Sequence, residues 1–468
     1  MTKKIALFAL VAAGVFCSCS QSSDLVNDLP TPSEKQKVEE KTSISFDTYN
    51  AKSAVVRSSR AGYAGDMTTA MLQKEGFGVI AYYTASTDFS SWSIEAPNFM
   101  YNTKVYVPEA DGTTESQNPS WTYSPTVYWP NGNTTADNVG AAGAGGGKLS
   151  FFAYAPYTAV TPNTGDATGD ATTGIKGLSS NAATTAPSVS YSLDGGVDLL
   201  WGTAGTNGVT VNDATQAGKT LTNGRVPVNV DLTKMKTNGK VNFLFKHALA
   251  RVGSIKVVAD VDAVTGGSLS NDSRIYVGIV SIENGMTTGE TPVSTLIGDG
   301  SLDLTTGLWT AGSTKISLSK SIASSAIPVS GAAAMNTDIE VPNTNPEAVG
   351  TKRWEQIFTT AGVTTTTATS IYSSSVDPIL LIPGAGQTLK VSISYWVTSK
   401  DSNLSRGYTW IPQTVSKTIS LGTLEMNKSY SLTLHLGLNS VKFTASVSEW
   451  DDAESSQRVD LPVNVVGE

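Results

Sequence analysis

Side chains that enzymes use for nucleophilic or acid–base chemistry are scarce in this chain of 468 residues, which contains two His and two Cys. His247 and His435 each stand among apolar residues, where a structural histidine with satisfied hydrogen bonds is the commoner case. Neither accompanies a Gly-x-Ser-x-Gly nucleophile turn between a strand and a helix. So few His and Cys also leave few ligands for a metal centre. The sequence predicts a protein that is not an enzyme and has no metal and no cofactor.

A glycine-rich run over residues 140–148 superficially resembles a phosphate-binding loop. Ala142 stands where the first Gly of that motif belongs, and Leu149 follows Lys148 where the motif requires Ser or Thr. The run also leads into a β-type segment instead of a helix. A hairpin loop is therefore the better interpretation.

The charge balance argues against nucleic acid as a partner. Asp and Glu number 40 against 32 Lys and Arg, which gives a formal charge of −8 and a sequence pI near 5.0. A nucleic-acid interface needs a basic patch that releases counterions, and no sustained basic stripe is present. With 40% hydrophobic residues, 43 Gly and 19 Pro, the composition indicates a globular, β-rich protein.

The first residues predict export and lipidation. Two lysines precede an apolar run over residues 5–16, which is long enough for a signal peptide and too short to span a bilayer. Cys19 follows Ser18, and a small residue before Cys is what lipoprotein signal peptidase requires. We therefore predict a lipoprotein signal peptide over residues 1–19 and lipidation at Cys19. The alternative is an ordinary secretory signal with two incidental Cys.

Most of the remaining chain consists of short β-type runs between turn-rich stretches. A succession of strands without alternating helices predicts an all-β fold of antiparallel sandwiches. At about 100–200 residues per domain the length predicts two domains, with a boundary near residue 235. A long loop is expected over residues 161–185, which contain almost no large side chain. The strand candidates are residues 77–83, 149–154, 226–232, 241–245, 254–258, 274–280, 379–382, 388–396, 429–436 and 442–447.

Four large aromatic side chains lie within nine residues of one another. Two interpretations are open for them. They form a flap over the core of a sandwich, which we favour, or they form a platform that binds carbohydrate, since Trp and Tyr combine a large apolar face with a polar edge. These possible ligand aromatics are Trp121, Tyr123, Tyr128 and Trp129.

The order of these segments resembles the fimbrillins, the lipoprotein-derived subunits of type V pili. Each motif is short, but together they span most of the chain after the signal peptide. The matching segments are the lipoprotein signal, the Arg-containing stretch before the first domain, and residues 77–83, 121–130, 149–157, 243–250 and 432–438 ahead of Trp450.

This resemblance implies two transthyretin-like antiparallel β-sandwich domains in tandem, over residues 61–235 and 236–468. It also implies a route of assembly. The subunit reaches the outer membrane through its lipid anchor, an Arg-specific maturation protease removes an N-terminal strand, and the opened groove accepts a strand from another fimbrial subunit, as a homo- or heteropolymer used in adhesion. The rival hypothesis is a monomeric outer-membrane lipoprotein that binds glycans through exposed Trp and Tyr residues.

Residues 20–60 fit the removable segment. Residues 21–41 are polar and predict a tether, and residues 43–56 alternate as one or two strands. Arg57 and Arg60 follow among small polar residues. Arg60 is the preferred cleavage site because Ala61 and Gly62 offer a protease little hindrance; the alternative is that both are ordinary surface arginines.

The C-terminal tail, residues 451–468, has the pattern of the donor strand. Extended chain puts alternate side chains on one face, and Pro462 lacks the N–H that a sheet ladder needs. Burying four such side chains would stabilise a complex by roughly 6–12 kcal/mol before ordering costs. The tail is equally well explained as the last strand of its own subunit. Its alternating apolar residues are Val459, Leu461, Val463 and Val465.

Overall fold

The structure is a computed structural model. Among the predicted site residues, Cys19, Arg57, Arg60, Val463 and Val465 lie outside the described residues. No helix in the described part of the chain is long and apolar enough to cross a membrane. The described residues are 42–50, 67–130, 147–160, 174–193, 196–204, 228–259, 273–284, 294–323, 327–328, 369–373, 379–399, 401–404, 409, 411–436, 441–449 and 459–461.

Strands dominate these ranges, and helix is limited to α1 (Thr69–Glu75), α2 (Lys234–Thr237) and a 3-10 turn at Phe89–Ser91. The strands are β1 (Ser45–Asn50), β2 (Phe77–Tyr83), β3 (Met100–Val105), β4 (Leu149–Ala155), β5 (Ile175–Leu178), β6 (Ser188–Ser192), β7 (Leu200–Ala204), β8 (Asn229–Leu232), β9 (Lys240–His247), β10 (Ala250–Ala259), β11 (Ser273–Asn284), β12 (Asp299–Asp303), β13 (Trp309–Ala311), β14 (Ser319–Ala323), β15 (Ile327–Pro328), β16 (Thr369–Ser373), β17 (Ile379–Leu381), β18 (Gly384–Ala385), β19 (Thr388–Ser399), β20 (Ile411–Ser420), β21 (Thr423–Leu424), β22 (Lys428–Leu436), β23 (Val441–Glu449) and β24 (Val459–Leu461).

These strands form four sheets of four or more strands and one two-stranded sheet. The first sheet has the order β1-β9-β7-β4-β2-β3, with β8 paired to β4, and a four-stranded sheet has the order β13-β12-β6-β5. Two further sheets are a six-stranded sheet of order β16-β10-β22-β23-β24, with β17 paired to β10, and a five-stranded sheet of order β14-β11-β19-β20, with β15 paired to β11. The prediction of an all-β fold is confirmed. Pairings cross residue 235, since β7 pairs β9 and β6 pairs β12, and the division into two tandem domains stays a prediction.

The buried side chains form three clusters. One contains residues of the six- and five-stranded sheets, from β10, β11, β19 and β22 among others. A second joins the first sheet to the four-stranded sheet. The third lies on the other side of the first sheet and takes in α1 and β1. Full burial of each large apolar side chain contributes about 1.5–3 kcal/mol, so these clusters are the main source of stability.

Two local predictions are corrected by the structure. The loop expected over residues 161–185 contains β5, because Ile175 and Leu178 are buried and pair with β6 despite a register shift at Gly177. The helix α1 was not predicted either. Its end signals are present, since the Thr68 side chain accepts a hydrogen bond from the N–H of Met71 at 3.2 Å, as a helix N-cap does.

Candidate functional site

The first strand of the described chain occupies an edge of the first sheet. β1 runs parallel to β9, with Ser45 opposite Lys240 and Asn50 opposite Phe245. Two parallel strands cannot be joined by a tight hairpin, and here about 190 residues separate them in sequence. No short loop therefore ties β1 to its partner strand. β1 is held in the sheet by the hydrogen bonds and side-chain contacts of its own residues.

The backbone amides of β1 point alternately to its two sides. The N–H of Ser45 donates to the carbonyl of Gly239, at the start of β9, over 3.1 Å. The N–H of Ile44 points the other way and donates to the carbonyl of Val127 over 3.0 Å. Because this alternation continues along a strand, the N–H of Asp47 faces β9.

One side chain of β1 is enclosed by aromatic rings. Phe46 is 4% exposed. Its ring centroid lies 5.3 Å from Tyr123, 6.0 Å from Phe151, 6.2 Å from Phe77 and 6.3 Å from Phe243. The contacts with Tyr123, Phe151 and Phe77 are edge-to-face and the contact with Phe243 is stacked, and aromatic pairs of these kinds are favourable beyond the area that they bury. We call these four rings the Phe46 socket.

A second segment, residues 121–129, closes over the start of β1, and we call it the strap. The backbone N–H of Trp129 donates to the carbonyl of Thr42 over 3.0 Å. The hydroxyl of Tyr123 donates to the carbonyl of Ile44 over 2.8 Å. The strap and β9 therefore hold the beginning of β1 from both sides.

The strap is itself attached to the sheet at both ends. Thr122 exchanges two backbone hydrogen bonds with Tyr106, of 2.9 and 3.1 Å. The indole Nε1 of Trp129 donates to the carbonyl of Gly239 over 3.0 Å. Burial raises the pKa of the Tyr123 hydroxyl above its usual range. That hydroxyl is thus protonated at neutral pH and able to donate.

Beyond the strap, β1 is held less well. Lys240 Nζ lies 3.3 Å from Asp47 Oδ2 in a partly exposed ion pair, and such pairs contribute little. Thr48 is 8% exposed, and its hydroxyl has no hydrogen-bond partner among the described residues. An unpaired buried hydroxyl costs about 1–3 kcal/mol, so β1 is not an optimal occupant of its own site.

The last described strand is also a terminal edge strand. β24 pairs antiparallel with β23, with Val459 opposite Val447 and Leu461 opposite Ala445. Among the described residues this pairing comprises three residue pairs. In this structure the predicted donor segment therefore begins as the last strand of its own chain.

Comparison with known proteins gives a partial match in sequence and a broader one in fold. Over 225 residues the chain is 28% identical to fimbrium subunit Fim1C of Phocaeicola vulgatus. The matched region is 47% of this chain and 45% of the length of that relative. A crystal structure of a fimbrial protein from Bacteroides vulgatus matches 87% of this chain and 99% of its own, with a TM-score of 0.52 and 20% identity. The resemblance to the fimbrillins is confirmed. No model of a protein family matches the sequence.

The four predicted aromatics lie in the strap. Trp129 is 3% exposed, whereas Tyr128 is 46% exposed. Trp121 and Tyr123 are half-buried against the core, where the Trp121 ring lies 5.3 Å from Phe77. Three of the four rings thus pack inward. A role in ligand binding stays a prediction.

One buried polar group was missed by sequence reasoning. The carboxylate of Asp198, fully buried, accepts a hydrogen bond from the backbone N–H of Met67 over 3.1 Å. The same oxygen lies 2.5 Å from Nδ1 of His247, which is 2% exposed. His247 is thus a structural histidine with a carboxylate partner. Among the described residues no group of three or more His, Cys, Asp or Glu side chains is placed to hold a metal ion.

Proposed function

We propose that this protein is a structural, non-enzymatic subunit of a cell-surface fimbria used in adhesion. It is exported as a lipoprotein precursor anchored at Cys19 in the outer membrane. An Arg-specific protease then cuts after Arg60 or Arg57, and β1 leaves together with the anchor. The opened groove accepts a strand of a neighbouring fimbrial subunit. The similarity to Fim1C and to the fimbrial crystal structure supports the first statement.

The observation that carries the assembly step is the placement of β1. It is an edge strand whose only sheet partner among the described residues is β9. It precedes both candidate arginines, so a cut at either separates it covalently from the remaining chain. Its loss would expose the Phe46 socket and the free edge of β9. An exposed apolar edge of this kind favours pairing with another chain.

The proposal is tested by digesting purified full-length precursor with an Arg-specific protease. We expect a product whose N-terminus is Ala61 or Ser58, release of the peptide containing β1, and ladders of oligomers on unheated denaturing gels. N-terminal sequencing and mass spectrometry identify the cut. The matched control is the double variant Arg57→Lys, Arg60→Lys, which keeps both charges and removes these two cleavage sites while leaving the other arginines of the chain in place.

The control must remain uncut between residues 57 and 61 and must stay monomeric. A native product that is cut at Arg60, loses β1 and still stays monomeric would contradict strand exchange. Ladders of equal intensity from the double variant would contradict the role of the protease.

A further inference from the structure

The groove left by β1 has a definite chemical preference. We propose that the strand which replaces β1 carries an aromatic side chain at the Phe46 position and no proline opposite β9, and that it belongs to a different subunit, because this chain's own tail lacks both features. This inference rests on the strand exchange proposed above. It names the kind of partner that the groove accepts.

The first requirement comes from the socket. Three of its rings stand on three strands of one sheet, namely Phe77 on β2, Phe151 on β4 and Phe243 on β9. Strands joined in one sheet cannot close freely around a smaller side chain, and a residual cavity weakens packing in proportion to its volume. The tail, residues 451–468, contains no Phe, Tyr or Trp. Leu or Val in the socket would leave it partly empty.

The second requirement comes from the direction of the amides. In β1 the side chains that point into the core, those of Ile44, Phe46 and Thr48, belong to residues of even number. The N–H groups of the odd-numbered residues, Ser45 and Asp47, face β9. In the tail, Val459, Leu461 and Val463 have odd numbers and Pro462 has an even number, so Pro462 lies on the opposite face of an extended strand.

Pro462 is therefore misplaced in every register in which the tail runs parallel to β9 and keeps this residue opposite β9. A tail running in the direction of β1 with Val459, Leu461 and Val463 inward puts Pro462 at a position whose N–H should donate to β9. A shift of the tail by two residues keeps the same side chains inward and the same N–H positions toward β9, because the side-chain period of a strand is two. Proline has no N–H, so a ladder bond is lost in each case.

A third feature gives an incoming strand an advantage over β1. The hydroxyl of Thr48 is buried without a partner among the described residues. A strand with Val at this position fills the same space without burying an unpaired polar group. The preferred partner sequence is thus apolar–x–aromatic–x–Val, with neither intervening residue a proline.

The test uses full-length precursor in which a site-specific protease sequence replaces residues 57–60. Cleavage is carried out with excess fluorescent peptide, and exchange of β1 for the peptide is followed by anisotropy. The β1 peptide, residues 41–50, is compared with its Phe46→Leu, Thr48→Val, Asp47→Pro and Asp47→Ala variants. The tail peptide, residues 459–468, is compared with its Leu461→Phe, Pro462→Ala double variant.

We expect Phe46→Leu and Asp47→Pro each to weaken binding about tenfold or more, and Thr48→Val to tighten it about threefold to tenfold. Asp47→Ala, which loses the same side chain as Asp47→Pro but keeps the N–H, should stay within about threefold. The native tail should bind at least about tenfold more weakly than β1, and its double variant should recover most of that loss.

Two results would overturn the inference, and they differ in what else they overturn. A native tail that binds as tightly as β1, with no gain from the double variant, refutes the partner preference and leaves strand exchange in place. Failure of every peptide to replace β1, the β1 peptide included, refutes both this inference and the proposed assembly.

Discussion

The two terminal strands, β1 and β24, are held in unlike ways. β1 is bonded on both sides at its start, by β9 and by the strap, and it inserts Phe46 among four rings. β24 is paired on one side with β23 through three residue pairs. Both are edge strands at the ends of the described chain. β1 contributes a side chain to a buried cluster, whereas β24 is an edge strand of a six-stranded sheet.

This difference suggests different roles in assembly. A strand that is deeply packed must be cut free before its site can open, which makes proteolysis a suitable trigger. A strand held by a short ladder can leave its sheet without a covalent cut, because opening free energies are lowest at chain ends.

Truncation of the side chain in the socket should have the largest effect. Phe46→Ala removes a buried ring from a rigid site and should lower the free energy of unfolding of the uncut protein by about 3–5 kcal/mol. Urea unfolding followed by tryptophan fluorescence measures it. Once the protein is cut and β1 has left, the variant and the native protein have the same sequence, so a difference in stability that persists would show that the defect lies elsewhere.

Loss of the indole donor should have an intermediate effect. Trp129→Phe keeps a ring in place but leaves the carbonyl of Gly239 without this donor. We expect a loss of about 1–2 kcal/mol in the uncut protein, because one hydrogen bond and part of the buried indole are lost, while the carbonyl of Gly239 still accepts from the N–H of Ser45. Hydrogen exchange at the N–H of Ser45 should accelerate in parallel. An unchanged exchange rate at Ser45 would show that the strap does not help to hold β1 in the sheet.

The Tyr123 hydroxyl should matter less. Tyr123→Phe preserves the ring contact with Phe46 and removes the hydrogen bond to Ile44, with an expected loss of about 0.5–1.5 kcal/mol. Because burial raises the pKa of Tyr123, its contribution is complete below the ordinary tyrosine pKa of about 10 and is lost as the pH rises through the higher folded value. A comparison of native and variant unfolding at pH 7 and pH 11 tests this sign.

Removal of the other terminal strand should change stability least. A chain ending at residue 458 lacks β24 and should lose about 0.5 kcal/mol or less. The same urea titration gives the comparison with Phe46→Ala. If this truncation lowered the free energy of unfolding as much as Phe46→Ala does, β24 would be held as strongly as β1 and the contrast between the two strands would be wrong.

The predictability of the fold from sequence differed with the range of the interactions. The continuous apolar runs at residues 77–83 and 149–154 predicted β2 and β4, because periodicity is a local signal. The four clustered aromatics indicated a flap, and they lie in the strap. That the strap clasps β1, however, depends on contacts such as Tyr123 with Ile44, separated by 79 residues. No local pattern encodes such a contact.

The buried pair of Asp198 and His247 was out of reach for the same reason, since 49 residues separate the two. The helix α1 was missed although its capping residue Thr68 is visible in the sequence. Seven residues are too few for a clear helical period.

The backbone bond from Met67 to Asp198 has a consequence for the cut form of the protein proposed above. A cut after Arg60 creates a new amino terminus only a few residues ahead of Met67. An aminopeptidase binds the residues that it removes as extended chain, so trimming should not pass a residue whose amide is held by a buried carboxylate. Mature subunits would then share one narrow range of starting residues whatever enzymes surround the cell. Mass spectrometry of subunits exposed to aminopeptidase should find this limit, and in Asp198→Asn, which weakens the acceptor, the trimming should extend into α1.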